Sequence, residues 1–343
     1  MKAAVLTKIK EIKIQDREIP SIGDNDCLVR IRSVGVCGSD VHYYLHGRIG
    51  SQVANPPHIL GHESAGEVVE TGPAVTRVKK GDRVAVEPGI PCRSCEHCKQ
   101  GHYNLCKDIR FLGTPPVPGA YVEYLSVPSE FVFPIADSMT VDDAAMIEPL
   151  AVAVHSVNLG KVKPGDSIAV LGAGSIGLLT MQTALACGAT RAFITDPLEY
   201  RLGVAEKFGA TAGLNPKKID AVEAILDLTN GRGVDIVFEA AGAEDTPNQG
   251  LKVVKRGGTF VWIGIQAVDR VMIEPEHLRR RSVTIKGVRR FRHTYPAAID
   301  LVKAGKVDVR SIVTHRFPME EIETAFRLVA NYEVGVIKAV IRI

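Results

Sequence analysis

Apolar and polar positions follow two different rhythms along this chain, and the change falls near Leu150. Before it, short apolar runs at 27–32, 66–70 and 82–86 are separated by Gly, Pro and Asp turns. Many short strands at such spacing predict a small barrel or folded sheet. After it, strand-like and helix-like segments alternate. Strands are predicted at 167–171, 192–195, 234–238 and 259–263, and helices at 176–187, 198–208 and 221–228. That alternation is the signature of a parallel sheet covered by helices on both faces. Beyond about 289 the pattern predicts a helix at 295–304, an extended segment at 313–317, a helix from Met319 and a last strand at 336–343.

Two stretches need separating from membrane and secretion signals. Residues 167–190 carry no charge, but Gly172, Gly174, Gly177 and Gly188 interrupt them. A buried strand, a turn and a buried helix fit better than a membrane span. The N-terminal segment alternates charge with apolar residues in Lys8-Ile9-Lys10-Glu11-Ile12-Lys13-Ile14, unlike the apolar core of a signal peptide. The expectation is a soluble cytoplasmic protein.

Composition sharpens this only in places. A length of 343 residues with 45% hydrophobic side chains predicts two domains with sizeable cores. A net charge of +3 with both signs dispersed argues against nucleic acid as a partner. The local exception, Arg279-Arg280-Arg281 with Arg289, Arg290 and Arg292, reads as a solvated face near a phosphate site. Seven cysteines, an odd number, include four between Cys92 and Cys106, which reads as metal binding rather than a disulfide framework.

The chemistry lies in three constellations. Gly172-Ala173-Gly174-Ser175-Ile176-Gly177 is a G-x-G-x-x-G run that follows a predicted strand and opens an apolar helix, the context a dinucleotide fingerprint requires. Gly172 permits the tight turn, Gly174 lets backbone approach a pyrophosphate, and Gly177 lets helix and strand pack. Asp196, at the end of the next strand, suits the ribose hydroxyls and repels a 2′-phosphate, so NAD is preferred over NADP, with Arg201 close by as the opposing charge. Cys92, Cys95, Cys98 and Cys106 form C-x2-C-x2-C-x7-C, which fits a closed, structural zinc site, an iron–sulfur cluster being the alternative; His97 and His102 read as bystanders. Finally, Cys37, His62 and Glu63 offer a thiolate, an imidazole and a carboxylate, the ligand types of a catalytic zinc with an open position, although a buried Cys is also common as packing.

Taken together, Gly35-Val36-Cys37-Gly38-Ser39-Asp40-Val41-His42-Tyr43, Gly61-His62-Glu63, the stretch 81–89, the four-cysteine lobe, Thr114-Pro115-Pro116, Ile147-Glu148-Pro149-Leu150, the glycine run and the stretch 313–318 carry a family likeness over essentially the whole chain. The sequence resembles the zinc-dependent medium-chain dehydrogenases, and among them the sorbitol and xylitol (polyol) dehydrogenases. The resemblance implies an α/β protein. Its GroES-like β-barrel catalytic domain would span 1–150 and 289–343, with a structural-zinc lobe at about 89–110, and its Rossmann nucleotide domain 151–288.

By the same resemblance, Cys37, His62 and Glu63 hold the catalytic zinc, with Glu148 ligating directly or through water where alcohol dehydrogenases have a cysteine. Ser39 and His42 pass the alcohol proton outwards, or zinc water held by Glu148 does, and Tyr43, Phe111, Thr114, Glu148, Arg290 and Phe291 line the polyol. Some polyol dehydrogenases have Tyr where this chain has Phe291. Gly172, Gly174, Ile176, Gly177, Asp196, Arg201 and Arg290 bind the cofactor, Arg290 compensating for Gly38 where relatives carry a basic residue. The implied cofactors are NAD and two zinc ions per chain; the implied reaction is oxidation of a polyol to a ketose by a homotetramer or homodimer. A simple secondary alcohol, a vicinal diol or L-threonine is the competing substrate class. A catalytically silent nucleotide-binding protein is the competing function, and such a protein would lack zinc ligands that this chain keeps.

Overall fold

A computed structural model describes residues 1–343. The chain forms two compact units. The first comprises Met1–Glu148, Tyr295–Lys303 and Val309–Ile343; the second comprises Pro149–Thr294 and Ala304–Asp308. The return to the first unit thus falls at Tyr295, a few residues beyond the sequence-based boundary at 289, and a short stretch at Ala304–Asp308 belongs with the second unit. No helix is long and apolar enough to cross a membrane.

The first unit is built on a seven-stranded sheet. Its order is Val132–Pro134, Arg83–Val86, Glu63–Thr71, Asp26–Gly35, Lys338–Arg342, Val313–Pro318, with Tyr124–Pro128 also paired to Asp26–Gly35. The pairing of Lys338–Arg342 with Asp26–Gly35 is antiparallel, so the chain's last strand lies beside one of its first. That is why the tail, whose own periodicity says nothing of its partner, belongs here. Apolar side chains from these strands, among them Val29, Ile31, Val68, Val84 and Ile341, form the core with Leu60, Tyr121 and Phe326. The first helix of this unit interrupts the β pattern early. Gly38–His46 starts directly after the strand, with Cys37 as its N-cap, and buries Val41, Tyr43 and Tyr44.

The second unit is a six-stranded parallel sheet in the order Ala212–Leu214, Arg191–Thr195, Ser167–Leu171, Val234–Glu239, Val254–Trp262, Thr284–Gly287. Ser167–Leu171 is buried at every position, as expected of a strand covered on both faces. The strand order reverses between Ser167–Leu171 and Val234–Glu239, which is where such sheets open a ligand crevice at their carboxyl ends. The helix Ser175–Ala186 follows the first strand through the glycine turn. The strand predicted at 259–263 is longer, Val254–Trp262. The helix Thr246–Val253, with Pro247 in its first turn and Gly250 inside it, has no strong sequence signal, and it forms because Leu251 and Val253 bury against the sheet.

Candidate active site and cofactor site

Cys37, at the end of a strand and the start of a helix, meets His62 and Glu63, which open the neighbouring strand Glu63–Thr71. The register sets Gly35 directly opposite Glu63. A Cβ on Gly35 would collide with the Glu63 carboxylate, so this glycine makes room for the acid. The potential ligand atoms of Cys37, His62 and Glu63 all lie within 4.8 Å of one another. His62 and Glu63 are buried and Cys37 is half-buried. Ser39 Oγ donates to Cys37 Sγ at 3.2 Å.

Two residues that the sequence reading gave no role complete the surroundings. Asp40 is buried, places Oδ1 3.4 Å from His62 Nδ1 and accepts a bond from Gly61 N–H at 3.3 Å. Carboxylates set beside ligating histidines in this way orient the ring. Lys338 is the second. Its Nζ lies 2.7 and 2.6 Å from the two Glu63 oxygens and donates to Val36 O at 3.2 Å, with both members of the ion pair buried. The signal that could have revealed it is a cation set among apolar residues, Ile337-Lys338-Ala339-Val340-Ile341.

Glu148 lies at the start of the helix Ile147–Gly160 and is buried. Burial pushes its carboxyl up to about 8, with His62 and Lys338 pulling down and Glu63 and Asp40 pushing up. It therefore shares the charge field of the trio without belonging to the set of atoms within 4.8 Å. Burial disfavours charge on His62, yet Asp40 and Cys37 outweigh it and raise its pKa well above the usual value. The same anions would favour a dication. One sulfur, one imidazole nitrogen and carboxylate oxygen, gathered within 4.8 Å, suit zinc.

Around them, Phe111 stacks obliquely with the His62 ring at 5.5 Å, and its backbone carbonyl accepts from Thr114 N–H at 3.0 Å. Tyr43 is buried on the helix Gly38–His46, and His42 beside it is half-buried, with its pKa lowered by that burial. Arg290 and Phe291 belong to the second unit. Arg290 has a left-handed φ of 53°, and Phe291 is buried.

The four-cysteine lobe is compact. Cys92 and Cys98 sulfurs are 4.0 Å apart, Cys95 and Cys98 sulfurs 3.5 Å, and all four lie within 4.8 Å. Tetrahedral Zn–S bonds of about 2.3 Å require sulfurs roughly 3.8 Å apart, which these match. Cys92 N–H donates to Cys106 Sγ at 3.3 Å and Cys95 N–H to Cys92 Sγ at 3.4 Å, so backbone dipoles already face the sulfurs. His97 and His102 supply no atom to the cluster.

In the second unit Gly172 has a φ of +101°, and a Cβ on Gly177 would collide with Gly172 O. Space above Gly174 is open, its nearest neighbour being Arg201 Nη1 at 3.9 Å. The helix Ser175–Ala186 has no side-chain cap, leaving its first N–H groups for an anion. Asp196 Oδ2 accepts from Ala173 N–H and Oδ1 from Leu198 N–H, both at 2.9 Å, and Arg201 Nη1 lies 3.6 Å from Oδ2. Ile176 occupies the first turn of the helix, half-buried. This cradle fits a dinucleotide pyrophosphate with an acid at the ribose position.

Residues 23–137 match the alcohol dehydrogenase GroES-like domain, and residues 175–304 match the zinc-binding dehydrogenase domain. The chain is 40% identical over 341 residues to the sorbitol dehydrogenase of Bacillus subtilis (strain 168), covering 99% of this chain and 97% of that one. It is 41% identical over 328 residues to D-xylulose reductase A of Aspergillus oryzae, covering 94% and 91%. Among solved structures, 2R,3R-butanediol dehydrogenase from Bacillus subtilis superposes with a TM-score of 0.90 at 34% identity, covering 100% of this chain and 99% of that one.

Proposed function

The chain belongs to the zinc-binding dehydrogenases of the alcohol dehydrogenase family, and from that premise we propose that it oxidises a polyol of the sorbitol or xylitol kind to the corresponding ketose, with hydride transfer to NAD. The observation that carries this is the cluster of Cys37, His62 and Glu63, with the Glu148 carboxylate in the same charge field. Relatives that act, by their names, on sorbitol and D-xylulose at about the same identity support the polyol.

Cys37, His62 and Glu63 would hold the catalytic zinc, and the four-cysteine lobe a structural one. When bound, the catalytic metal supplies Lewis acidity that lowers the pKa of an alcohol set against it. The chain's own residues do the rest. Asp40 orients His62, and Lys338 balances the Glu63 charge. Glu148 would complete the ligand set directly or through water, and a carboxylate there makes the site more polar than a thiolate would. Ser39, already bonded to Cys37, would take the alcohol proton and relay it towards His42, whose depressed pKa keeps its imidazole a neutral acceptor near pH 7. Tyr43, Phe111 and Thr114 would line the polyol.

Gly172, Gly174, Ile176 and Gly177 would cradle the pyrophosphate, while Asp196 selects NAD and Arg201 and Arg290 assist. The same likeness supports a cytoplasmic homotetramer or homodimer, which light scattering on the purified protein would distinguish.

The test is NADH formation at fixed NAD with D-sorbitol, xylitol, other pentitols and hexitols, 2,3-butanediol, 2-propanol and L-threonine. High turnover on one or two polyols is expected. Activity confined to the small alcohols, the diol or threonine would leave the zinc and NAD assignments standing and remove the polyol.

A further inference from the structure

Glu239 is the last residue of the strand Val234–Glu239 and is wholly buried, at 0% exposure, after three apolar neighbours, Ile236, Val237 and Phe238. An acid there calls for a reason, because burial raises its pKa and makes its charge costly. Its bonds give one. Oε1 accepts from Ala241 N–H at 2.9 Å, Gly242 N–H at 2.8 Å and Thr246 Oγ1 at 2.9 Å. Its main-chain carbonyl accepts from Ile263 N–H at 2.8 Å and Gly264 N–H at 2.9 Å. Oε2 makes no well-formed hydrogen bond and faces Gly264, where a Cβ would come within 2.5 Å of it. Every group that this residue's side chain holds lies past the carboxyl end of its strand.

That end is the crevice. Glu239 pairs in register with Leu171, the residue before the glycine turn, across the point where strand order reverses. Ala240 N–H donates to Leu171 O at 2.8 Å, and a Cβ on Gly172 would come within 2.9 Å of Ala241 Cα. The turn that the Glu239 carboxylate shapes is therefore the backing of the phosphate-binding turn itself. On the other side its carbonyl ties down Ile263 and Gly264, at the end of Val254–Trp262.

We propose that Glu239 is a positioning residue for the dinucleotide. Its carboxylate fixes the backbone of 240–242 against Gly172, opposite the wall that Asp196 makes, and so sets cofactor affinity. The inference rests on the nicotinamide-dinucleotide reading of this unit.

Trp262, the protein's one tryptophan, is the register partner of Glu239 on the next strand, so energy transfer from it to NADH reports on this crevice. The experiment is NADH titration, read by that transfer, of folded wild type, Glu239→Gln and Glu239→Ala, with KM for NAD and kcat measured alongside. Glu239→Ala is expected to weaken NADH binding by about tenfold or more, in KM rather than kcat; Glu239→Gln, which keeps an acceptor oxygen, should bring it back to within about threefold of wild type. Should Glu239→Ala fail to fold, Thr246→Ala removes one of the three donors and is expected to weaken binding about threefold. Variants that melt earlier but bind NADH as wild type does would reduce Glu239 to a structural residue and overturn the proposal. Absence of NADH binding by the wild type is a separate result, which would overturn the cofactor reading and this inference with it.

Discussion

Lys338 shows what a single side chain settles at this site. Removing one member of a buried ion pair leaves an uncompensated charge, which costs about 3–5 kcal/mol. Lys338→Met should therefore lower the unfolding free energy, read from a denaturant titration, by an amount in that range, and a change under about 1 kcal/mol would show that Glu63 does not depend on it. Glu87 makes the opposite case. It is buried, accepts only from Tyr103 Oη at 2.7 Å among side chains, and burial raises its pKa from 4.5 to about 7. Between those values the folded state holds a proton that the unfolded state has lost, so stability falls as pH rises from 4.5 to 7. Glu87→Gln should gain on wild type across that window, by at most about 3 kcal/mol, and thermal melts of both proteins at pH 5 and pH 8 test it. At the cofactor site, Asp196→Ala combined with Pro197→Arg should shift preference towards NADP, because carboxylate repulsion gives way to phosphate attraction. Unchanged KM values for the two cofactors would place the ribose acid elsewhere. That Cys37, His62 and Glu63 come together could be read from the sequence, because metal chemistry restricts residue types at short spacing. The parts of Asp40 and Lys338 could not, because a supporting charge declares itself only by what folding sets beside it.

At the scale of elements, local signals located the second unit better than the first. Ser167–Leu171 and Ala221–Leu228 fall where the pattern puts them, since a strand buried on both faces and an amphipathic helix each have a characteristic run. The helix Thr246–Val253 escaped because Pro247 and Gly250 lower its propensity, and packing of Gly250 against Phe260 decides the matter instead. In the first unit, strands as short as Gly89–Ile90 and Arg110–Phe111 carry no periodicity of their own. The lobe they border depends on its sulfurs. Cys95→Ser should lose zinc and melt well before wild type while keeping most of its turnover per folded molecule. Loss of activity with the fold and the melting temperature intact would give the lobe a catalytic part. The glycine turn allows a sharper test of close packing: Gly177→Ala must push the helix Ser175–Ala186 off Gly172 O, and NADH affinity is expected to fall by at least about tenfold.

For the molecule as a whole, the chain leaves a β-rich unit after Glu148 and returns to it at Tyr295, with an α/β unit between, where the sequence puts the boundaries at 150 and 289. The parallel sheet could be read directly from alternation. The return of the last strand could not, since Lys338–Arg342 finds its partner at Asp26–Gly35, some 300 residues earlier, and only family likeness anticipated it. The central claim is that this chain carries a catalytic metal at Cys37, His62 and Glu63 separate from the structural one in the four-cysteine lobe. The measurement that tests it most directly is zinc per folded chain, by elemental analysis, in wild type and in Cys37→Ala. The account predicts about two in the wild type, one for each ligand cluster, and about one in the variant, with polyol oxidation abolished while the four-cysteine lobe keeps its ion. Equal zinc content in both proteins, or a wild type that oxidises polyols with a single ion per chain, would contradict it.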